Sequence, residues 1–381
     1  MSAPVVLFYI QHLLGIGHLA RASRIARALL DAGMKVTLVT GGLPVPGFPG
    51  PDIPHLALPP VAVADGGFKG LHDGNGQPAS EDYLADRRDR LLAAFHRIRP
   101  DIVITEAFPF GRRQMRFELI PLLAAIKAAR PRPMLAASVR DILQKRGRPD
   151  RDQETVDQVR RHFDLVLMHG DPGFAALGDS FPFADRIADK VVYTGLVCPP
   201  PPAPASERFD IVVSAGGGAV GRDLVRAAVA AAALMPDLAR WCILTGPNLP
   251  QAEYDDIAGH ISGNVTLDRF RRDLASLMSG ARLSVSQAGY NTVGDILQAG
   301  CRALLVPYTD RGETEQADRA ALLQRAGRVT VCKAEGMTPD SLATAIRQAL
   351  AAPMPGTALP VKTDGAAETA RILADHLSRR R

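Results

Sequence analysis

The chain has 381 residues, a formal net charge of +5, 46% hydrophobic and 22% charged residues, and 5% aromatics. That length exceeds what one core usually serves, so two domains are expected, and the composition excludes a disordered chain. Sparse aromatics exclude a base-stacking nucleic-acid binder, and no run of about 18 apolar residues predicts a membrane span.

Along the chain, "PVVLFYI" reads as a first strand; without a basic n-region it does not read as a signal peptide. The loop "LLGIGHLARA" and the helix "ASRIARALLDAG" follow, then the strand "KVTLVT". Gly15, Gly17 and Ala20 have the spacing of a dinucleotide fingerprint. The second strand, however, ends in Thr40, Gly41 and Gly42, with no carboxylate for a ribose, and the His18 imidazole sits where a pyrophosphate should approach. The loop instead places His18 at a strand's carboxyl end, where it can take a proton near neutral pH. His12 reads as structural.

The helix "SEDYLADRRDRLLAAFHRIRP" sets basic side chains beside Leu91, Leu92 and Phe95, which suggests peripheral contact with an anionic membrane. The strand "DIVITE" ends in Glu106, placed to orient His18 or bind an acceptor hydroxyl; an ion pair with Arg112 or Arg113 is the structural alternative. Asp150 and Asp152 in "RPDRD" follow "QKRGR" rather than an apolar strand, so they read as a solvated loop and not a metal-binding D-x-D. The arginine clusters, Arg87 among them, read as solvated faces. "LAASV", "DLVLMHG" and "VVYTGLV" continue an alternation that predicts a parallel sheet covered by helices on both faces.

"CPPPPAPASERF" then reads as a stiff linker, and the pattern restarts. The expected organisation is an N-terminal domain over 1–197, a linker over 198–208, a second doubly wound domain over 209–364, and a C-terminal helix over 365–381 packing back toward the first domain. After the strand "FDIVVSA", Gly216, Gly217 and Gly218 open a helix whose free amides suit a diphosphate without a metal. In "SVSQAGYNTVGDILQAG", a second strand leads through Gln287 and Gly289 to a helix opened by Asn291 or Thr292, with Asp295 one turn in, able to accept ribose hydroxyls. Glu315 and Gln316, at another helix start, are within reach of sugar hydroxyls. Cys198, Cys242, Cys301 and Cys332 have no paired spacing, which predicts neither structural zinc nor a disulfide framework and fits a reducing cytoplasm.

These stretches resemble the inverting glycosyltransferases of the GT-B fold, family 28. "GIGHLAR" looks like the family's N-terminal loop, and "LDRFRRDLASLMSGARLSVSQAGYNTVGDIL", "AGCRALLVPY" and "EQADRAALLQRAG" are similar to its donor-binding region. The resemblance implies two Rossmann-like α/β domains facing across a cleft. It puts Phe270 beside the donor base, Gly289 and Thr292 at the diphosphate, Asp295 at the ribose, and Glu315 with Gln316 at the transferred sugar. Thr245 and Gly246 join the donor side; Gly15, Gly17, Arg112 and Arg113 join the acceptor side. His18 and Glu106 are the expected catalytic residues, with a UDP-sugar as co-substrate and neither metal nor cofactor. The expected acceptor is a hydroxyl compound, lipid-linked or small, used in the cytoplasm or at the inner membrane face. Two departures stand out: the family usually has Glu where Asp295 stands, and "TEAFPFGRRQMRFELIPLL" resembles a separate, uncharacterised branch. A nucleotide-sugar 2-epimerase and a non-catalytic nucleotide-sugar binder are the alternatives.

Overall fold

The computed structural model describes residues 3–13, 15–63, 70–145, 147–216, 221–356 and 361–380. Two compact units emerge, Met1–Val197 with Val361–Arg381, and Cys198–Pro360. The first contains β1 (Val5–Ile10), α1 (Gly17–Asp31), β2 (Lys35–Thr40), β3 (His55–Ala57), α2 (Glu81–Ile98), β4 (Ile102–Glu106), α3 (Arg116–Ala128), β5 (Met134–Arg140), α4 (Pro149–His162), β6 (Leu165–His169) and β7 (Val191–Tyr193). These strands form one sheet in the order β3-β2-β1-β4-β5-β6-β7, parallel throughout. Both faces are covered, so β1, β4 and β6 are buried almost end to end, as their unbroken apolar runs require.

The arginine-rich helix α2 begins at Ser80, whose hydroxyl accepts from the Tyr83 amide (3.2 Å), with Glu81 and Asp82 suiting the positive end of the helix dipole. Its apolar stripe does not face a membrane. Leu91 and Phe95 are buried in the core with Leu7, Val103 and Leu119, because the stripe is needed to cover the sheet. Nor is Arg87 solvated. It is completely buried and gives Nε to Glu118 Oε2 (2.7 Å), Nη2 to Gln11 Oε1 (2.6 Å) and Nη1 to the Gly41 carbonyl (2.8 Å). Glu118 also accepts from the Tyr9 hydroxyl, which completes a buried network. Gly41 has to be glycine: a Cβ there would lie 1.9 Å from Arg87 Nη2. The missing carboxylate after β2 thus coincides with an arginine occupying that space. Asp150 and Asp152 stand in the first turn of α4 rather than in a loop, since Pro149 opens that helix and carboxylates favour its start.

The second unit contains β8 (Ile211–Ser214), α5 (Arg222–Ala233), β9 (Trp241–Leu244), α6 (Gln251–Ala258), β10 (Val265–Asp268), α7 (Leu274–Gly280), β11 (Leu283–Ser286), α8 (Tyr290–Ala299), β12 (Ala303–Leu305), α9 (Glu315–Arg325), β13 (Thr330–Val331) and α10 (Pro339–Ala351). Its parallel sheet runs β10-β9-β8-β11-β12-β13. The end of the proline-rich stretch is fastened to this unit, since Glu207 accepts from Arg271 Nη2 (2.8 Å) and Ala205 lies against Gly280.

The chain returns to the first unit at Val361, four residues earlier than the helix start at which the sequence puts the boundary. Backbone pairing explains the difference. Leu196 donates to the Lys362 carbonyl (2.8 Å), Gly365 donates to the Leu196 carbonyl (3.0 Å), and Val197 bridges Asp364. The last helix, α11 (Gly365–Arg380), then buries Ala370, Ile372, Leu373 and Leu377 and packs on α1.

Candidate active site

In the first sheet the chain winds outward from β1 to β3, then starts again at β4 beside β1. A parallel α/β sheet opens its ligand crevice at such a reversal, outside the carboxyl ends of the strands. His18 lies in the first turn of α1, just past β1, and Glu106 is the last residue of β4. His18 Nδ1 lies 2.8 Å from Glu106 Oε1. Arg21, one turn further along α1 and 2% exposed, bonds the same oxygen, and the Ser138 hydroxyl bonds Oε2. The carboxylate partner is therefore Arg21, not Arg112 or Arg113. Arg113 and Arg116 both pair with Glu154.

Burial alone would push the Glu106 carboxyl up, but the Arg21 charge and the hydrogen bonds from His18 and Ser138 outweigh it and hold the group well below the usual carboxylate range. An ionised carboxylate only accepts, so His18 Nδ1 carries the proton and Nε2 keeps the lone pair. Burial and then the Arg112 cation lower the His18 pKa to about 3, against the opposing pull of Glu106. The ring is thus neutral near pH 7, with a fifth of the side chain exposed.

The loop after Glu106 holds two non-glycine residues in left-handed conformation, Ala107 (φ 65°) and Arg112 (φ 59°). Such residues cost on the order of 1 kcal/mol each and persist where surroundings dictate them. Here the Ala107 amide donates to the Ser138 carbonyl (2.8 Å), Gly111 to the Ala107 carbonyl (2.6 Å), and Arg112 Nε to the Gln11 carbonyl (2.6 Å). This geometry brings Arg112 close enough for its charge to act on His18, and for the Glu106 carboxylate to act on Arg112. Gly15 has open space around it, and Gly17 is the first residue of α1. His12 is buried, with Nε2 2.9 Å from the Leu43 carbonyl, as a structural role requires.

In the second unit the order reverses between β8 and β11, and the two glycine loops leave those two strands. Gly216, after β8, has φ 76°; Gly217 and Gly218 lie outside the described residues. Gly221 caps α5 so closely that a Cβ would sit 2.2 Å from the Ala215 methyl. Gln287 lies near Gly216, and Gly289 caps α8 without a side-chain acceptor, so that Asn291 and Thr292 stand in the helix's first turn. Asp295 follows on the same helix, half-buried. Thr245 and Gly246 follow β9; the Thr245 amide donates to the Asp268 carbonyl (3.0 Å), and Phe270, just past β10, is 56% exposed. These residues share one edge of the sheet. Glu315 and Gln316 are engaged with protein groups: Glu315 accepts from Arg319 Nη2 (2.7 Å), while Gln316 Oε1 accepts from the amides of Ala288 (3.0 Å) and Tyr308 (3.1 Å). Both brace the loop that carries Gly289.

Residues 211–373 match the model of the glycosyltransferase family 28 C-terminal domain. The chain is 33% identical over 180 residues to a UDP-N-acetylglucosamine–N-acetylmuramyl-(pentapeptide) pyrophosphoryl-undecaprenol N-acetylglucosamine transferase of Agrobacterium fabrum, covering 46% of this chain and 47% of the relative. It therefore spans about half the length of the curated relatives it matches. Among solved structures, CalG4, the calicheamicin glycosyltransferase, superposes with a TM-score of 0.65 at 17% identity, covering 100% of this chain and 99% of its own. MurG of Acinetobacter baumannii gives 0.60 at 17%, covering 98% and 100%. What these share with the present chain is the fold, two parallel-sheet α/β units of the GT-B kind. The matched segment contains every expected donor residue from Gly216 to Gln316, whereas His18 and Glu106 lie outside it.

Sequence reasoning missed Arg21, Ser138 and His169. Arg21 is spaced three residues from His18 on one helix, and His169 ends the strand within "DLVLMHG" as Glu106 ends "DIVITE", so both had a readable signal. Among the described residues, no three His, Cys, Asp or Glu side chains gather in a way that would hold a metal. No described helix is long and apolar enough to cross a membrane.

Proposed function

We propose that the chain is a glycosyltransferase that moves a sugar from a UDP-sugar to an acceptor hydroxyl by one direct displacement, with inversion. The His18–Glu106 pair at the β1/β4 reversal carries this reading, in a chain that also contains a family 28 domain. The UDP-sugar is taken from the A. fabrum relative, whose name contains UDP-N-acetylglucosamine. In the proposed reaction the acceptor's proton passes to His18 Nε2 as its oxygen bonds the anomeric carbon. The bond to the diphosphate breaks, and amides at Gly216 and at the start of α8 take up the charge without a metal. Asp295 accepts from the ribose hydroxyls.

A base held near 3 removes a proton poorly near neutral pH. Arg112 is part of the cause, so an acceptor that brings a negative or strongly polar group to Arg112 cancels that charge and raises His18 as it binds. This favours an acceptor with such a group beside its hydroxyl, whether lipid-linked or small.

The test is incubation with UDP-N-acetylglucosamine and a panel of acceptors, with the anomeric configuration of the product read by NMR. Inversion is expected, and His18→Ala is expected to lower turnover by about 10²–10⁴ while leaving UDP affinity unchanged. Retention of configuration, or loss of UDP binding in that variant, would contradict the assignment.

A further inference from the structure

Behind Glu106, a row of buried polar groups takes no part in the chemistry above. Glu106 pairs in register with Ser138 on β5, Arg140 pairs with His169 on β6, and Met168 pairs with Tyr193, the residue before Thr194. With alternate residues facing alternate sides, Glu106, Ser138 and His169 share one face of the sheet. The side chains connect accordingly. Ser138 Oγ bonds Glu106 Oε2 and lies 2.9 Å from His169 Nε2; His169 Nδ1 lies 2.9 Å from Thr194 Oγ1. All four residues are completely buried.

We propose that Ser138 and His169 are positioning residues that fix the tautomer of His18 through Glu106. The inference rests on the reading of His18 as the base.

Ser138 has one proton. Given to Glu106, it satisfies a buried carboxylate oxygen and obliges His169 to donate from Nε2, with the Thr194 hydroxyl donating to Nδ1. Given to His169, it leaves Glu106 Oε2 without that donor and frees the Thr194 proton for the Gly195 carbonyl, 2.9 Å away. A hydrogen bond to an ionised group is about twice as strong as a neutral one, and an unmet charge in a dry site costs more than an unmet hydroxyl. The first arrangement therefore prevails. Both oxygens of Glu106 are then held, Oε1 by Arg21 and His18 and Oε2 by Ser138, so the carboxylate cannot rotate away. A carboxylate oxygen fixed 2.8 Å from His18 Nδ1 accepts there, which favours the ring's proton on Nδ1 over Nε2, although Arg21 Nη2 also lies 3.3 Å from Nδ1. The charged groups facing this row are Arg21 and Glu106 at His169, with Arg112 added at His18.

Nitrogen-15 spectra of histidine-labelled full-length protein at neutral pH decide the matter, with signals assigned through His18→Gln and His169→Asn. In the unsubstituted protein, His169 is expected as the Nε2–H form and His18 as the Nδ1–H form. Ser138→Ala and His169→Asn should each turn His18 from that single form into a mixture, and Ser138→Thr, which keeps the hydroxyl, should restore it. Finding His169 as Nδ1–H, or an unmoved His18 in the folded variants, would overturn the inference. If Ser138→Ala does not fold, the unsubstituted protein and His169→Asn still decide. None of these readouts uses a donor or an acceptor, so failure of the transferase reading would show separately.

Discussion

Burial lowers the pKa of His18 and His169 to about 3 from near 6.5, and shifts that of His12, His55 and His162 in the same direction. Below about pH 6.5 the unfolded chain therefore takes up protons that the folded chain refuses. The stabilisation is complete above that pH and is lost as pH falls from 6.5 toward 3. Glu106, held low, adds its own loss only below the ordinary carboxylate range, so the interval from 6.5 to 5 belongs to histidine. Urea unfolding at pH 7.5 and pH 5.5 should show stability falling by on the order of 1 kcal/mol per pH unit for each of His18 and His169; equal stabilities would contradict their buried, neutral state. The Arg87–Glu118 pair supports the end of β1 through Gln11, and Glu118→Ala would strand a buried guanidinium. A loss of about 3–5 kcal/mol in the same assay is expected, and a loss below about 1 kcal/mol would contradict the described network. At this scale the sequence shows which residue types could do chemistry but not which are buried. Arg87 counts as one more surface arginine until Tyr9, Glu118 and Gly41 are brought around it from three separate segments.

The elements were more legible than their surroundings. Apolar runs and helical periodicity mark β1, α1, β4, β8 and α8 within a few residues, because a strand buried on both faces or a helix covering a sheet leaves a local pattern. Amphipathicity, however, says only that a face is apolar. The stripe of α2 reads equally as a membrane surface or a core face, and only packing against α3 and the sheet decides for the core. The start of α4 is a different kind of miss, since Pro149 with Asp150 and Asp152 is a helix-opening signal concealed by a metal-like spacing. The last helix is recognisable as amphipathic, but its partner α1 is more than 300 residues away in sequence. If α11 is an integral part of the first unit, Leu373→Ala, at a completely buried position, should cost about 2–5 kcal/mol by urea unfolding. A cost within about 0.5 kcal/mol would mean the helix is peripheral.

For the whole molecule, two doubly wound units follow from the restart of the strand–helix alternation after the proline-rich stretch, and the fold could be read from the chain alone. The return of the chain at Val361 could not, because it depends on backbone pairing with residues 195–197. The glycine loops and helix starts proposed to hold the donor were legible, because such features are local. The cluster around the proposed base was only partly so, because Glu106, Ser138 and His169 meet across three strands. The central claim divides the labour, with the nucleotide held in the second unit and the base in the first. Hydrogen exchange with and without saturating UDP tests it most directly. The account predicts slower exchange at residues 286–292 and 308–316, with residues 11–20 and 106–115 unchanged. Protection confined to the first unit would contradict it.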